Sequence, residues 1–552
     1  MKHTACSGAV AFALSLAQAT LAAQAPDAGQ ILENIKAPLT LPPATEGVLP
    51  EAAPARPALS LPSDVKLQIK AFRITGAREF SEAHLLALLA DSTDRELSLA
   101  QLQGLAERIT AHYREQGYLL ARAYLPAQDI KDGLLTIAVL EGRLGKVRLD
   151  NRSLLNDATA QRQLDDLHPG DAVQAAALER SLLLLNELPG AEVHSTLKPG
   201  ASVGLTDLDV SLGAGPRVAG SLEADNFDNR YTGSERLGGN LAINSPTGLG
   251  DTLSLRGLTS GAGMNYGRLA YQLPLGPQAT QVGLAWSEMR YELGEDFASL
   301  DAHGKASIAS AYALQPLLRS RQARLDGQLS YERKRLEDQV DATDTTLDKT
   351  LDVWSLGLSG SHQDSLLGGG AMQYGASLVA GNLELDAASD ALDAAGLDTR
   401  GHYAKLAFQL TRLQRLTDRL SLQLRASGQR AAKNLDSSEK LSLGGAYAVR
   451  AYPQGEAAAD DAWLANLELR YAPAPAWQLF GFYDAGGGRI SHRPVAGTAD
   501  NRRTLSGAGV GVSLALPAAI NLQAFAAWRT GSQPTSDDDR SPRLWLQTTK
   551  YF

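Results

Sequence analysis

From residue 217 onward apolar side chains recur at every second position, as in Val282/Leu284/Trp286, Trp354/Leu356/Leu358, Leu467/Leu469/Tyr471 and Val510/Val512/Leu514/Leu516, with polar or small residues between them. A strand with lipid on one face and water on the other requires this period of two. Sixteen strands are predicted, at about 217–225, 235–245, 251–260, 265–274, 281–291, 303–315, 321–333, 350–362, 370–384, 401–414, 418–431, 462–472, 476–485, 506–516, 519–530 and 543–552. Most are near the length at which a tilted strand crosses a bilayer. Short turns at Ser245-Pro246-Thr247-Gly248, Pro316-Leu317 and Pro517-Ala518 alternate with longer connections. That parity puts the short turns on the periplasmic side and the longest connection, 432–461, outside.

Upstream the period changes. Residues 66–141 predict a strand through Leu67, Ile69, Phe72 and Ile74 that ends at Gly76, then helices capped by Ser81 and Ser98. Gly117 stops the second helix, and 118–125 and 134–140 read as strands, giving the order βααββ. Residues 142–212 repeat that order with little identity: a strand at 146–149, helices around 154–164 and 175–188, and strands near 193–197 and 205–210. Nearer the start, Ile31, Leu32 and Ile35 share one face of a short helix over 27–36. The segment 38–65 is rich in proline and reads as an extended tether. The fold class is therefore mainly β: a 16-stranded antiparallel transmembrane barrel, preceded by two small α/β units and an amino-terminal helix.

Composition narrows the picture. Lys2 and His3, the apolar run Ala9 to Leu16 and Ala22-Ala23-Gln24-Ala25 have the order of a secretory signal peptide cleaved near Ala23. Cys6, the single cysteine, lies inside that signal, so no disulfide is expected. A mean hydropathy of −0.17 and 52 glycines do not suit a large soluble core but do suit a barrel in which every second side chain meets water. A net charge of −9 with dispersed lysine and arginine offers no footprint for nucleic acid. Nine scattered histidines without paired spacing predict neither a metal site nor a cofactor. No Ser/His/Asp or paired-carboxylate constellation stands out, so no enzyme is predicted.

Several segments carry a resemblance. In the first α/β unit they are Tyr113-Arg114-Glu115-Gln116-Gly117-Tyr118, Leu125-Pro126-Ala127-Gln128-Asp129-Ile130 and Leu140-Glu141-Gly142-Arg143. In the second they are Leu183 to Gly190 and Leu197-Lys198-Pro199-Gly200. In the barrel they are Asp225-Asn226, Gly248-Leu249-Gly250-Asp251, Gly444 to Tyr452, Gly481-Phe482-Tyr483-Asp484 and the terminal Tyr551-Phe552. Together these resemble the two-partner secretion transporters, the haemolysin and filamentous-haemagglutinin exporter family.

The resemblance implies a division into signal peptide (1–23), plug helix (24–37), linker (38–65), two POTRA units (66–141 and 142–212) and transmembrane barrel (213–552). It implies an outer-membrane location and a monomer that exports one large exoprotein, an adhesin, haemolysin or contact-dependent toxin, bound unfolded through the POTRA units. It also implies that Val449, Arg450, Ala451 and Tyr452 are a loop tip in the lumen facing a wall motif, Gly481, Phe482 and Asp484, and that the helix bearing Ile31, Leu32 and Ile35 plugs the pore. Ala451 stands where the family carries glycine. A passive porin would share the strands but not residues 26–212. A barrel-assembly factor would share the POTRA units, yet its cargo stays in the membrane.

Two further segments invite sharper readings than they support. Ser536-Asp537-Asp538-Asp539 resembles a calcium loop, but acidic external loops are usually solvated. Gly507-Ala508-Gly509-Val510-Gly511 resembles a phosphate loop only superficially, since a barrel strand and no Lys-Ser/Thr follows.

Overall fold

The computed structural model describes residues 25–35, 66–261, 263–495 and 500–552. The expected signal peptide and the proline-rich segment 38–65 lie outside the described residues. The amino-terminal helix α1 spans Ala28–Asn34, shorter than the predicted 27–36.

The first α/β unit runs β1 (Lys66–Ile69), β2 (Ala71–Thr75), α2 (Glu82–Ala87), β3 (Arg95–Ser98), α3 (Leu99–Glu115), β4 (Arg122–Tyr124) and β5 (Leu134–Leu140). The single strand predicted over Leu67–Ile74 is thus broken at Lys70, where the N–H groups of Lys70 and Ala71 both donate to the Gly133 carbonyl. β1 leaves to pair with β3, a strand the alternation did not disclose. Gly76 ends β2 because φ is +83° there and a Cβ would sit 2.2 Å from the Val139 carbonyl oxygen. Ser98 and Gln101 close a reciprocal capping box on α3, which buries Leu102, Leu105, Ile109 and Tyr113 against the sheet.

The second unit runs β6 (Arg143–Asn151), α4 (Asp157–Arg162), α5 (Ala175–Asn186), β7 (Ala191–Pro199) and β8 (Leu205–Ala214). Its sheet order is β6-β8-β7, with β6 parallel and β7 antiparallel to β8. The first unit has β2-β5-β4, with β2 parallel and β4 antiparallel to β5. The two units therefore share one topology despite their divergent sequences.

The barrel begins with β9 (Val218–Asp225), β10 (Arg236–Asn244), β11 (Thr252–Thr259), β12 (Met264–Leu275), β13 (Thr280–Glu292) and β14 (Ala302–Arg319). It continues through β15 (Ala323–Val340), β16 (Thr345–Asp364), β17 (Gly370–Leu385), β18 (Gly401–Arg415) and β19 (Leu420–Ala431). The long connection that follows carries the small pair β20 (Leu441–Ser442) and β21 (Ala458–Ala459). The wall then resumes with β22 (Asp461–Ala474), β23 (Trp477–Arg489), β24 (Arg502–Leu516), β25 (Ile520–Arg529) and β26 (Arg543–Tyr551). Sixteen of these strands, all but β20 and β21, close into an antiparallel barrel that joins β26 to β9, so no long edge is left unpaired. One helix, α6 (Ala387–Ala395), follows β17 in an external connection.

Trp286, Leu356, Leu358, Trp477 and Leu479 stand exposed on the outside, where lipid would cover them. β14, β15 and β16 reach 18, 18 and 20 residues, beyond what a bilayer needs. Pro316-Leu317 is not a turn: it lies within β14 at a register shift against β15, and the chain reverses at 320–322.

The second α/β unit is bolted to the short turns. Arg319 meets Glu187 at 2.9 Å and Arg321 meets Glu179 at 3.0 Å. Arg180 donates to Gln278 at 2.5 Å, and the Asn156 N–H donates to the Gly248 carbonyl at 2.8 Å. At the seam β26 and β9 share only five registered pairs, 547–551 with 221–225. Above them Asn226 substitutes for a strand: its backbone and side-chain N–H groups donate to the Leu546 and Leu544 carbonyls, and its side-chain oxygen accepts from the Leu546 N–H.

Candidate functional site: the occupied lumen

Among the described residues, two segments fill the barrel. The first is the long connection 432–460, which folds inward and not outward. Its tip places Val449, Arg450, Ala451 and Tyr452 among the buried residues. The Arg450 guanidinium grips Asp484 with two parallel hydrogen bonds, each 2.8 Å, and its backbone N–H donates to the same carboxylate at 3.1 Å. The remaining arm donates to Glu468 at 2.9 Å. The guanidinium carbon also lies 3.5 Å from the centre of the Phe482 ring, a cation–π contact in a largely dry site. Trp545 pins the backbone by donating to the Arg450 carbonyl at 2.7 Å, and Asn466 bridges Ala448 and Asp484.

Strand parity explains these directions. Tyr483 points outward while Phe482 and Asp484 point inward. Glu468 faces Phe482 on the adjoining strand between outward Leu467 and Leu469. It was missed in the sequence although that alternation already turned it toward the lumen. Gly481, placed in the wall motif, lies on the outer surface opposite Val510 and does not touch the loop. Ala451 takes no positive φ, so the family's glycine is not required for backbone freedom. Its side chain instead sits above Gly507, where an added Cβ would come within 2.4 Å of it.

The second segment is α1. Asp27 caps it by accepting from the Gln30 N–H and also meets Lys349 at 3.1 Å and the Ser437 hydroxyl at 2.7 Å. Asp338 accepts from the Ala28 N–H at 2.8 Å, while Arg236 and Arg256 reach the carbonyls of Asn34 and Ile35. Acid at the helix start and base at its end both complement the helix dipole. Ala28, Ile31, Leu32 and Ile35 are buried in a cluster with Met264, Met289, Tyr291, Leu336 and Leu351 of the inner wall. Burying Ile31 and Leu32 alone stabilises the seat by about 1.5–3 kcal/mol each. The two segments also touch one another: Gln454 donates to Asn34 at 3.1 Å, and a Cβ at Gly29 would sit 2.6 Å from the Ser438 nitrogen.

External loops brace the long connection. Glu456, fully buried, accepts from Arg503 and from the backbone and hydroxyl groups of Thr535 and Ser536. The acidic run beyond it is ion-paired, Asp537 with Arg230 and Arg543 and Asp539 with Arg529, where a solvated loop was expected.

At the joint of the two α/β units, Glu141 accepts from the Arg78 and Glu79 N–H groups, the Tyr113 hydroxyl and Arg143. Burial alone would raise its pKa, but those donors prevail and hold the carboxyl below the ordinary value. Burial and the neighbouring Glu141 charge push the Tyr113 phenol up. The joint therefore holds an ionised, hydrogen-bonded carboxylate at neutral pH.

Comparison with known proteins gives a consistent outcome. The haemolysin secretion/activation protein ShlB/FhaC/HecB family matches residues 204–514, and the ShlB-type POTRA domain matches 67–142. The heme/hemopexin transporter protein HuxB of Haemophilus influenzae strain 86-028NP is 26% identical over 100% of this chain and 99% of its own length. The outer membrane transporter CdiB of Dickeya dadantii is 25% identical, covering 82% of each. Among solved structures, CdiB from Escherichia coli superposes with a TM-score of 0.72 at 21% identity, over 95% of this chain and 96% of that one.

Proposed function

Because the chain belongs to the haemolysin secretion/activation protein family ShlB/FhaC/HecB, we propose that it is the outer-membrane translocase of a two-partner secretion pair. It carries one large exoprotein, an adhesin, haemolysin or contact-dependent toxin, from periplasm to cell surface, acting as a monomer without enzymatic chemistry or a cofactor. The observation that carries this reading is the barrel whose lumen is held by two of its own removable segments, α1 and the loop bearing Arg450, above docked α/β units. A passive pore needs none of these parts.

In this reading residues 66–141 and 142–212 are two periplasmic POTRA units and 213–552 the pore, with 1–23 a signal peptide, 24–37 the plug and 38–65 its tether. The edge strands β2, β4, β6 and β7 suit addition of an extended strand by main-chain bonding, which makes little demand on cargo sequence. The cargo's amino-terminal region therefore docks unfolded, displaces α1 and the loop tip, and leaves through the lumen.

The test is deletion of the gene, followed by identification of proteins lost from the surface and the medium. Loss of a single very large secreted protein supports the reading. A general loss of outer-membrane barrels would instead assign an assembly role, and no loss would leave a porin.

A further inference from the structure

We propose that His84 and His112 form a binding site for a divalent transition-metal ion on the first α/β unit. His84 belongs to α2 and His112 to α3, 28 residues apart in sequence, and their Nε2 atoms converge to 3.1 Å. A spacing argument on the sequence cannot find such a pair, because the fold and not the local chain brings it together.

The geometry fits two neighbouring ligands of one ion. Nitrogens 3.1 Å apart, each about 2.0–2.1 Å from a metal, subtend an angle of about 100° there, between the square and tetrahedral values. The same angle excludes ligation from opposite faces of a haem iron, which puts the two nitrogens in line through the metal. Without an ion, the contact is a hydrogen bond in which one Nε2 donates and the other accepts.

The rings are also held in place before any ion arrives. Phe80 stacks on His84 with centroids 5.5 Å apart at 20° and packs against His112 at 5.0 Å. Phe80 is itself fixed edge-on by Tyr113 at 4.8 Å and Tyr118 at 5.7 Å. One phenyl ring thus backs both imidazoles and narrows the rotamers that binding would have to freeze. His84 is exposed and His112 half-buried, so water can complete the coordination sphere. Two imidazoles select copper, nickel or zinc and not calcium or magnesium, which prefer oxygen. An ion there ties the short helix α2 to the long helix α3.

The experiment is equilibrium dialysis of the full-length protein in detergent micelles against zinc chloride at micromolar free zinc, with metal content measured directly. Wild type and a His168→Gln control should retain close to one equivalent more than His84→Gln or His112→Gln. Heat-modified gel mobility confirms that each variant barrel is folded. Amide exchange supplies a second readout: zinc should slow exchange across residues 82–87 in wild type and not in either variant. Equal zinc uptake by wild type and both variants, or no uptake by wild type, overturns the proposal.

Discussion

Glu468 lies 2.9 Å from Arg450, on the arm of the guanidinium that Asp484 leaves free. The loop tip is therefore held by a charge network and not by a lone pair: Arg450 meets Asp484 and Glu468, and Glu468 also meets Arg470 at 2.6 Å. Arg450→Ala removes the ion partner of the buried Asp484, while Glu468 keeps Arg470; Asp484→Ala leaves Arg450 on Glu468. Breaking a buried ion pair costs about 3–5 kcal/mol where the site is dry. We expect Arg450→Ala and Asp484→Ala each to reduce secretion strongly but measurably and Glu468→Gln to reduce it less, with the barrel inserted in each. The Arg450→Ala/Asp484→Ala double variant should be no worse than Arg450→Ala, because both remove one shared contact. Secretion yield beside heat-modified gel mobility reads all four, and additive losses would refute the network.

Removing residues 26–37 should raise ion conductance of the purified barrel in planar bilayers. Gly29→Val should do so without any deletion, since the new Cβ meets the Ser438 backbone at 2.6 Å. Ile31→Asp should act in the same direction by placing an unpaired charge in the apolar seat. Unchanged conductance in all three would show that α1 does not obstruct the pore.

Glu456→Ala removes the acceptor for Thr535 and Ser536 and leaves Arg503 with the Gln533 carbonyl. A loss of about 1–3 kcal/mol of local order is expected. Limited proteolysis of intact cells should then cut within 530–542 faster than in wild type, while the gel mobility of the folded barrel stays unchanged.

The joint between the α/β units should depend on pH. Glu141 has its folded pKa depressed below 4.5, so its stabilisation is complete above that unfolded value and is lost as pH falls through the folded one. Glu141→Gln should therefore speed amide exchange at Arg78 and Glu79 at neutral pH. The gap from wild type should narrow under acid. A gap that is the same at both pH values would mean that the carboxylate charge is not what holds the joint.

Much of the barrel was legible because one rule, lipid outside and water inside, acts on every strand and repeats with period two. Strand ends were less so: β15 and β16 continue outward past their predicted ends, where no bilayer imposes a pattern and inward Leu336, Asp338 and Lys349 meet α1. The break at Lys70 carried a signal that the single-strand reading passed over: the apolar positions are odd in β1 (Leu67, Ile69) and even in β2 (Phe72, Ile74), a shift of phase where the two strands take different partners. Asp484 and Phe482 could be placed inside from Tyr483. Asp338, Lys349 and Ser437, which hold α1, could not, since their meeting depends on the lumen closing around a segment more than three hundred residues away in the chain. The glycine run 507–511 is the clearest case. It looks like a ligand loop in sequence, yet Cβ atoms at Gly509 and Gly511 would come within 2.2 and 2.3 Å of Phe482 and Phe480, so these glycines make room for the aromatic floor beneath Arg450.

The apolar inner wall around α1 has a thermal consequence. Any step that withdraws the helix wets Met264, Met289, Tyr291, Leu336 and Leu351, at a cost of about 25 cal/mol for each Å² uncovered. In the cycle proposed above that cost would act as a restoring force, so reseating of α1 would need neither nucleotide nor gradient. Hydrophobic attraction weakens on cooling, so if α1 is the plug proposed above, its seated fraction should fall as the temperature falls.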